Sequence, residues 1–240
     1  MRRVLILVLT VTAALLPAVV LAPAPADAAA TVTVPTVVRK YGAADAKQII
    51  TVTANRSNST VATLSAWTKS GKVWKRAFGP ITAHLGSAGV GKTHEGASRT
   101  PAGSFTLTRA FGAKANPGLH LPYHHTTPAD FWVEQVGNKY YNQLRTCPSL
   151  SSSRCGFSFG APTEHLYYET PYYNYAVVID YNTTNATGGV KQGAGSAFFL
   201  HVTDGAPTAG CVAIDQAKLL KIMKWLKPSA HPRIIIGTRS

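Results

Sequence analysis

One stretch of this chain carries the pattern of a multi-turn helix, and it comes near the end. Between Asp215 and Pro228, Leu219, Leu220, Met223 and Leu226 recur at the spacing that gathers apolar side chains on one face. Lys218, Lys221, Lys224 and Lys227 fall mostly off that face. Asp215 offers an N-cap oxygen, and Pro228 stops the helix. Elsewhere glycine, proline and asparagine cut the chain into short β-branched or aromatic runs, which read as strands. These are Gln48–Ala54, Thr60–Thr68, Lys72–Phe78, Pro80–Leu85, Phe105–Thr108, Phe131–Val133, Tyr172–Tyr181, Ser196–Val202 and Arg233–Gly237. The Gly-rich stretch Gly86–Gly103 and the segment Asn182–Gly195 read as loops. So does Asn116–Pro128, with three prolines and three histidines. No repeat and no linker divides the chain, so the expectation is one mainly-β domain with one C-terminal helix.

The N-terminus points to export. Arg2 and Arg3 precede an apolar run from Val4 to Leu16, small residues follow through Ala30, and Ala26-Asp27-Ala28 fits a signal-peptidase site. The run is short for a membrane span of about 20 residues and Pro17 interrupts it. Residues 1–30 are therefore expected to be a cleaved signal peptide, residues 31–45 an N-terminal tail, and residues 46–240 the domain, with no stable membrane insertion after cleavage. Cleavage removes Arg2, Arg3 and Asp27, so the formal charge falls from +14 to +13. Such a charge favours a polyanionic neighbour. In an exported chain without a nucleic-acid motif that neighbour is an anionic cell-wall polymer, and no nucleic acid is expected.

Three cysteines divide unequally. Cys147 and Cys155 bracket a polar loop and, in an oxidising compartment, should pair as a disulfide. Cys211 is left as a free thiol. It ends the segment Phe198-Phe199-Leu200-His201-Val202-Thr203-Asp204-Gly205-Ala206-Pro207-Thr208-Ala209-Gly210-Cys211, in which an apolar run ends in His201 and a Pro/Gly-punctuated loop delivers the cysteine. A thiol becomes a good nucleophile when a neighbouring base removes its proton. Cys211 as nucleophile and His201 as base suggest acyl transfer through a thioester. Gly210 permits close backbone approach, and amides around Gly210-Cys211, supported by Thr208, are candidates for an oxyanion hole. The group that orients His201 is either Asp204 or a backbone carbonyl. By spacing alone, a buried structural cysteine near an unrelated histidine is the commoner arrangement.

Other patterns carry less. Gly86–Thr93 meets the phosphate-loop spacing, but Gly96, Pro101 and Gly103 interrupt any helix that would follow. His120, His124 and His125 sit in a Pro-rich loop without the helix or strand that fixes metal ligands, so no metal and no cofactor are expected. Lys92 and Arg99 are candidates for contacting an anionic substrate group. Tyr167, Tyr168, Tyr172, Tyr173 and Tyr175 suit either a groove lining or the two faces of a strand.

The segment His201–Cys211, with Thr208 and Gly210, resembles the signature of the YkuD-type L,D-transpeptidases: an upstream His, then Ser/Thr-x-Gly-Cys. Lys92-Thr93-His94-Glu95-Gly96 followed by Arg99-Thr100-Pro101-Ala102-Gly103-Ser104-Phe105 is similar to the family's Thr-Pro-x-Gly-x-Phe segment. Ala209 and Ala213 stand where many members carry His and Arg or Asn, and the His-to-Cys interval is shorter, which implies a divergent branch. The resemblance implies an L,D-transpeptidase-like β-sandwich and a secreted, wall-associated cysteine acyltransferase. Its substrates would be peptidoglycan stem peptides. It would form 3-3 cross-links or, with water as acceptor, release terminal D-Ala. The rivals are a non-catalytic wall-binding protein on the same fold and a zinc-dependent wall hydrolase.

Overall fold

A computed structural model describes residues 34–239. The expected signal peptide lies outside the described residues, and no helix among them is long and apolar enough to cross a membrane. Ten strands form one large sheet, in the order Gly103–Thr106, Arg233–Thr238, Gln48–Ala54, Val61–Ser70, Val73–His84, Val212–Ile214, Phe199–Val202, Ala176–Val178, Ala110–Gly112, Tyr123–His125. Most neighbours are antiparallel, but Gln48–Ala54 pairs with Arg233–Thr238, Phe199–Val202 with Val212–Ile214, and Ala110–Gly112 with Tyr123–His125, in parallel.

Period-two alternation sorts the side chains. Val52, Leu64 and Ile236 from one half of the sheet share a core with Val177, Leu200 and Val212 from the other, so the sheet curls over a single apolar interior in the manner of a β-sandwich. The C-terminal helix, Gln216–Trp225, plugs that interior. Asp215 caps it, accepting from the Lys218 N–H at 3.1 Å. The buried face is Leu219, Ile222, Met223 and Leu226 rather than the expected set. Ile222 replaces Leu220, which is only half-buried, because the face that meets the sheet is rotated slightly from the apolar mean.

The outward face of the second half carries its own cluster, Phe111, Trp132, Leu166, Tyr173, Phe199 and Cys211. Phe199 sits edge-on to Phe111 at 4.9 Å and Trp132 at 4.8 Å. A small sheet, Gln143–Thr146, Asp130–Val133 and Glu164–His165, supplies Trp132 and roofs this face.

Other expectations change as well: the run Tyr172–Tyr181 is a strand only over Ala176–Val178, after a 3-10 turn at Tyr172–Asn174. Lys72–Phe78 and Pro80–Leu85 are one strand, Val73–His84, continuous through an irregularity where the register slips between Leu64 and Trp67. That bulge accommodates Pro80, which has no amide hydrogen to give the ladder. The loop Asn116–Pro128 contains an edge strand, Tyr123–His125, formed by parallel pairing with Ala110–Gly112. The tail at 31–45 holds, in its described part, the helix Thr36–Tyr41, whose Val37 is buried against Ile49, Trp67 and Ile235.

Cys147 and Cys155 are disulfide-bonded, with Cα atoms 5.8 Å apart, across the short helix Ser152–Cys155. Closing this loop restricts the unfolded chain and is worth about 2–3 kcal/mol. Replacing both cysteines with serine is expected to lower the melting temperature by roughly 5–10 °C while sparing Cys211 reactivity, which calorimetry and thiol titration would check. An unchanged melting temperature would remove the disulfide from the stabilising interactions.

Candidate active site

The parallel register sets Leu200 beside Val212 and His201 beside Ala213, which puts Phe199 level with Cys211. Alternation then turns Phe199, His201, Cys211 and Ala213 to the same face of two adjacent strands, with His201 diagonal to Cys211. Both open onto a cleft of 380 Å³ whose wall also includes Thr208, Ala209 and Gly210.

The Cys211 thiol is held by the neighbouring strand. Its Sγ donates to Ala197 O at 3.2 Å and accepts from the Phe199 N–H at 3.3 Å. Burial pushes this thiol well above its ordinary range. Glu164, and less strongly Glu134, act in the same direction against the Phe199 amide. His201 is also buried. Its Nδ1 lies 2.8 Å from Val202 O, an atom that only accepts, so Nδ1 carries the hydrogen and Nε2 keeps its lone pair. Burial lowers its pKa to about 4, with the Val202 carbonyl and Asp204 opposing. Nucleophile and base therefore rest as neutral thiol and neutral imidazole, not as an ion pair. Tyr173 and Tyr172 set ring edges against the imidazole at 5.5 and 6.3 Å. Of the two candidates for orienting His201, the backbone carbonyl is the one in contact. Asp204 instead accepts from the Tyr172 hydroxyl at 3.0 Å and from the Ala206 N–H at 2.9 Å.

Thr208 staples the cysteine turn. Its hydroxyl donates to Cys211 O at 2.8 Å and accepts from the Gly210 N–H at 3.0 Å, while its backbone exchanges bonds with Leu85 and Ser87. Gly210 has φ +147°, and a Cβ there would stand 2.6 Å from the Phe198 ring. Gly210→Ala is expected to cost about 1–3 kcal/mol and, by displacing Cys211, to slow its acylation about 10²-fold. Mass-resolved acylation kinetics would check this, and wild-type rates would show that the turn tolerates a side chain.

Over residues 50–236 the chain matches the YkuD family model, the L,D-transpeptidase catalytic domain. The chain belongs to the L,D-transpeptidase family. Its members are cysteine-dependent acyltransferases that act on peptidoglycan, and the match spans His201, Thr208, Gly210 and Cys211. No curated protein and no solved structure matches the chain.

In this L,D-transpeptidase domain neither Lys92 nor Arg99 lines the cleft; Lys92 is exposed, and the Arg99 guanidinium lies toward Gly91. His124 faces the buried Asp130 at 3.1 Å, and His125 reaches Ala113 O at 3.2 Å. Among the described residues no three His, Cys, Asp or Glu side chains are grouped to hold a metal ion. Of the five clustered tyrosines, Tyr172 and Tyr173 line the cleft.

The glutamates were not among the candidate site residues of the sequence. All four glutamates of the chain, Glu95, Glu134, Glu164 and Glu169, line this cleft. The Ser196 hydroxyl lies 2.9 Å from Glu95 Oε2 and 3.0 Å from Glu134 Oε2. A hydroxyl has one hydrogen, so it donates to one carboxylate and must receive from a protonated partner. Glu95 Oε2 also accepts from the Tyr141 hydroxyl, so Glu134 is the partner placed to donate a proton to Ser196. Burial, then the charges of Glu164 and Glu95, push Glu134 upward in agreement, while Ser196 opposes. Burial also raises Glu164, whose Oε2 accepts from the Tyr173 hydroxyl at 2.8 Å.

Proposed function

We propose that this chain is an exported, wall-associated cysteine L,D-transpeptidase whose Cys211 attacks the stem peptide at the bond between a diamino acid and terminal D-alanine. The observation that carries this reading is the shared cleft of Cys211 and His201, with Nδ1 tied to Val202 O and Nε2 left free to take a proton. As Sγ closes on the carbonyl carbon, its proton passes to His201 Nε2. The carbonyl oxygen gains charge, for which the Cys211 N–H is the donor available on the turn, since Thr208 occupies that of Gly210. The tetrahedral intermediate collapses, His201 protonates the leaving amine, D-alanine departs and a thioester remains. Attack by a side-chain amine of a second stem gives a 3-3 cross-link; attack by water gives L,D-carboxypeptidase activity. The net positive charge of the chain favours residence on anionic wall polymers.

The test is intact mass after exposure to a carbapenem, a strained lactam that mimics the acyl donor, with Cys211→Ala alongside. One covalent adduct, lost in the variant, is the expected result. A folded protein with a titratable thiol and no adduct would overturn the acyltransferase reading in favour of a wall-binding protein.

A further inference from the structure

A second cavity, of 240 Å³, lies where the strands Ala110–Gly112 and Tyr123–His125 meet the small roofing sheet, and it shares no lining residue with the catalytic cleft. Phe111, Pro122, Trp132, Leu144 and Val178 make its wall apolar. Into this wall the chain sets a cation, Arg109, half-buried just ahead of the strand Ala110–Gly112. The Arg109 guanidinium carbon stands 5.3 Å from the centre of the Trp132 ring. Packing against an aromatic ring holds a guanidinium by its face and leaves its N–H edges to be filled by acceptors. Here nothing fills them. Nε is buried without an acceptor, and among the described residues the side chain makes no hydrogen bond and no ion pair. Nearby carboxylates are engaged elsewhere. Asp180 accepts from the hydroxyls of Thr106, Thr108 and Thr183, while Asp130 accepts from Thr127 and Thr146 and faces His124 on the rim of the cavity. A buried donor without a partner costs stability, and a guanidinium cannot relieve that cost by losing its proton. An anion from outside would supply the missing acceptors.

We propose that the Arg109 pocket is a second substrate site, which binds the terminal carboxylate of one stem peptide while another stem reacts at Cys211. The carboxylate chemistry stands on the pocket itself; its source, a stem peptide, rests on the transpeptidase reading. A guanidinium edge offers two parallel N–H groups to the two oxygens of a carboxylate, and one guanidinium matches one negative charge. The apolar wall suits the methyl group of a terminal alanine, and the volume suits one terminal residue rather than a whole peptide. The catalytic cleft offers no such partner, since neither lysine nor arginine lines it among the described residues. A stem held at Arg109 keeps the enzyme on a polymer whose other stems are then presented to the cleft at high effective concentration.

The experiment is a titration followed by nitrogen-15 NMR, read at the Trp132 indole N–H and the Arg109 Nε–H, which needs no turnover. The probes are N-acetyl-D-alanine, its carboxamide and dimethyl phosphate. The acid is expected to shift both reporters with a Kd of about 1–10 mM, the range open to so small a ligand, and to leave the His201 ring unmoved. The amide should shift neither reporter. Arg109→Met keeps an apolar side chain against Trp132 and should weaken binding of the acid at least tenfold, while forming the carbapenem adduct at the wild-type rate. Equal responses to acid and amide in wild type would overturn the proposal without any variant. So would an acid that moves His201 alone, or Arg109→Met that binds as wild type does. Dimethyl phosphate that binds as tightly as the acid would overturn the stem-peptide assignment in favour of a phosphodiester polymer; weaker binding supports it. The source is then read with whole stem peptides on Cys211→Ala. A free terminal carboxylate should shift both reporters and the terminal amide neither; a free-carboxylate stem that leaves them unmoved would remove the stem as the ligand. A carbapenem adduct without any carboxylate response at Arg109 would sink this inference alone. Carboxylate binding in a protein that no acyl donor modifies would sink the transpeptidase reading alone.

Discussion

Cys211→Ala is expected to abolish stem-peptide acylation, with a loss on the order of 10⁴-fold or more, the scale on which deleting a covalent nucleophile is felt. The substitution removes one small buried atom from a cluster built on Phe199, Phe111, Trp132 and Tyr173, so those rings hold the strand pair in place. The Phe199 N–H loses its Sγ acceptor and Ala197 O its donor, a cost of about 1 kcal/mol. Cys211→Ser separates packing from chemistry. A hydroxyl fits the same two partners, but it is a far weaker acid than a thiol and His201 is a weak base here. Both variants should melt close to wild type and form no thioester by intact mass. Turnover retained in Cys211→Ala would remove the nucleophile assignment.

His201→Ala is expected to slow acylation by roughly 10²–10⁴-fold. The pH dependence distinguishes a base from a packing residue. With its pKa lowered to about 4, Nε2 is free above that pH, so wild-type acylation should fall only as the pH drops through about 4. That acid limb should vanish in the variant. Stability carries the same signature with a definite sign. Below about pH 6.5 the unfolded state protonates this histidine while the folded state does not until about pH 4. Stability therefore falls as the pH drops across that window, by up to about 3 kcal/mol, and is flat below it. The raised carboxyl groups Glu134 and Glu164 have the opposite slope, because the folded state holds their protons at higher pH than the unfolded state. The difference between wild type and His201→Ala in pH-dependent melting isolates the histidine. An acid limb that persists in His201→Ala would assign it to another group.

Legibility differed from one part of the chain to another. Gln48–Ala54 was readable as a strand because it is β-branched and bounded by turn residues, and it is a strand over those residues. The helix was readable for the same local reason, as was its Asp215 cap. The edge strand Tyr123–His125 was not, because its Pro- and His-rich sequence has no strand pattern and pairing with Ala110–Gly112 creates it. Lys92 and Arg99 drew attention as cations beside a motif, yet neither lines the cleft. Glu95, Glu134, Glu164 and Glu169 are spread over 75 residues of chain with no shared spacing. The one available signal was that a chain poor in glutamate kept any at all, and it does not say that they meet.

Local chemistry alone therefore determined the strand-rich class, the single capped helix, the Cys147–Cys155 pairing and the His201–Cys211 segment. Each depends on residues close in sequence, where alternation, capping and loop closure act. Tertiary structure decided what depends on registers between distant strands. The parallel register of Phe199–Val202 on Val212–Ile214 turned His201 and Cys211 to one face, and burial there made both neutral. The turns that carry Glu95 and Glu169 and the small roofing sheet, which holds Glu164 and runs into Glu134, brought the glutamates to the cleft of the thiol. Charge and burial act through space rather than along the chain, so the sign of the cleft emerges only once the sheet has curled.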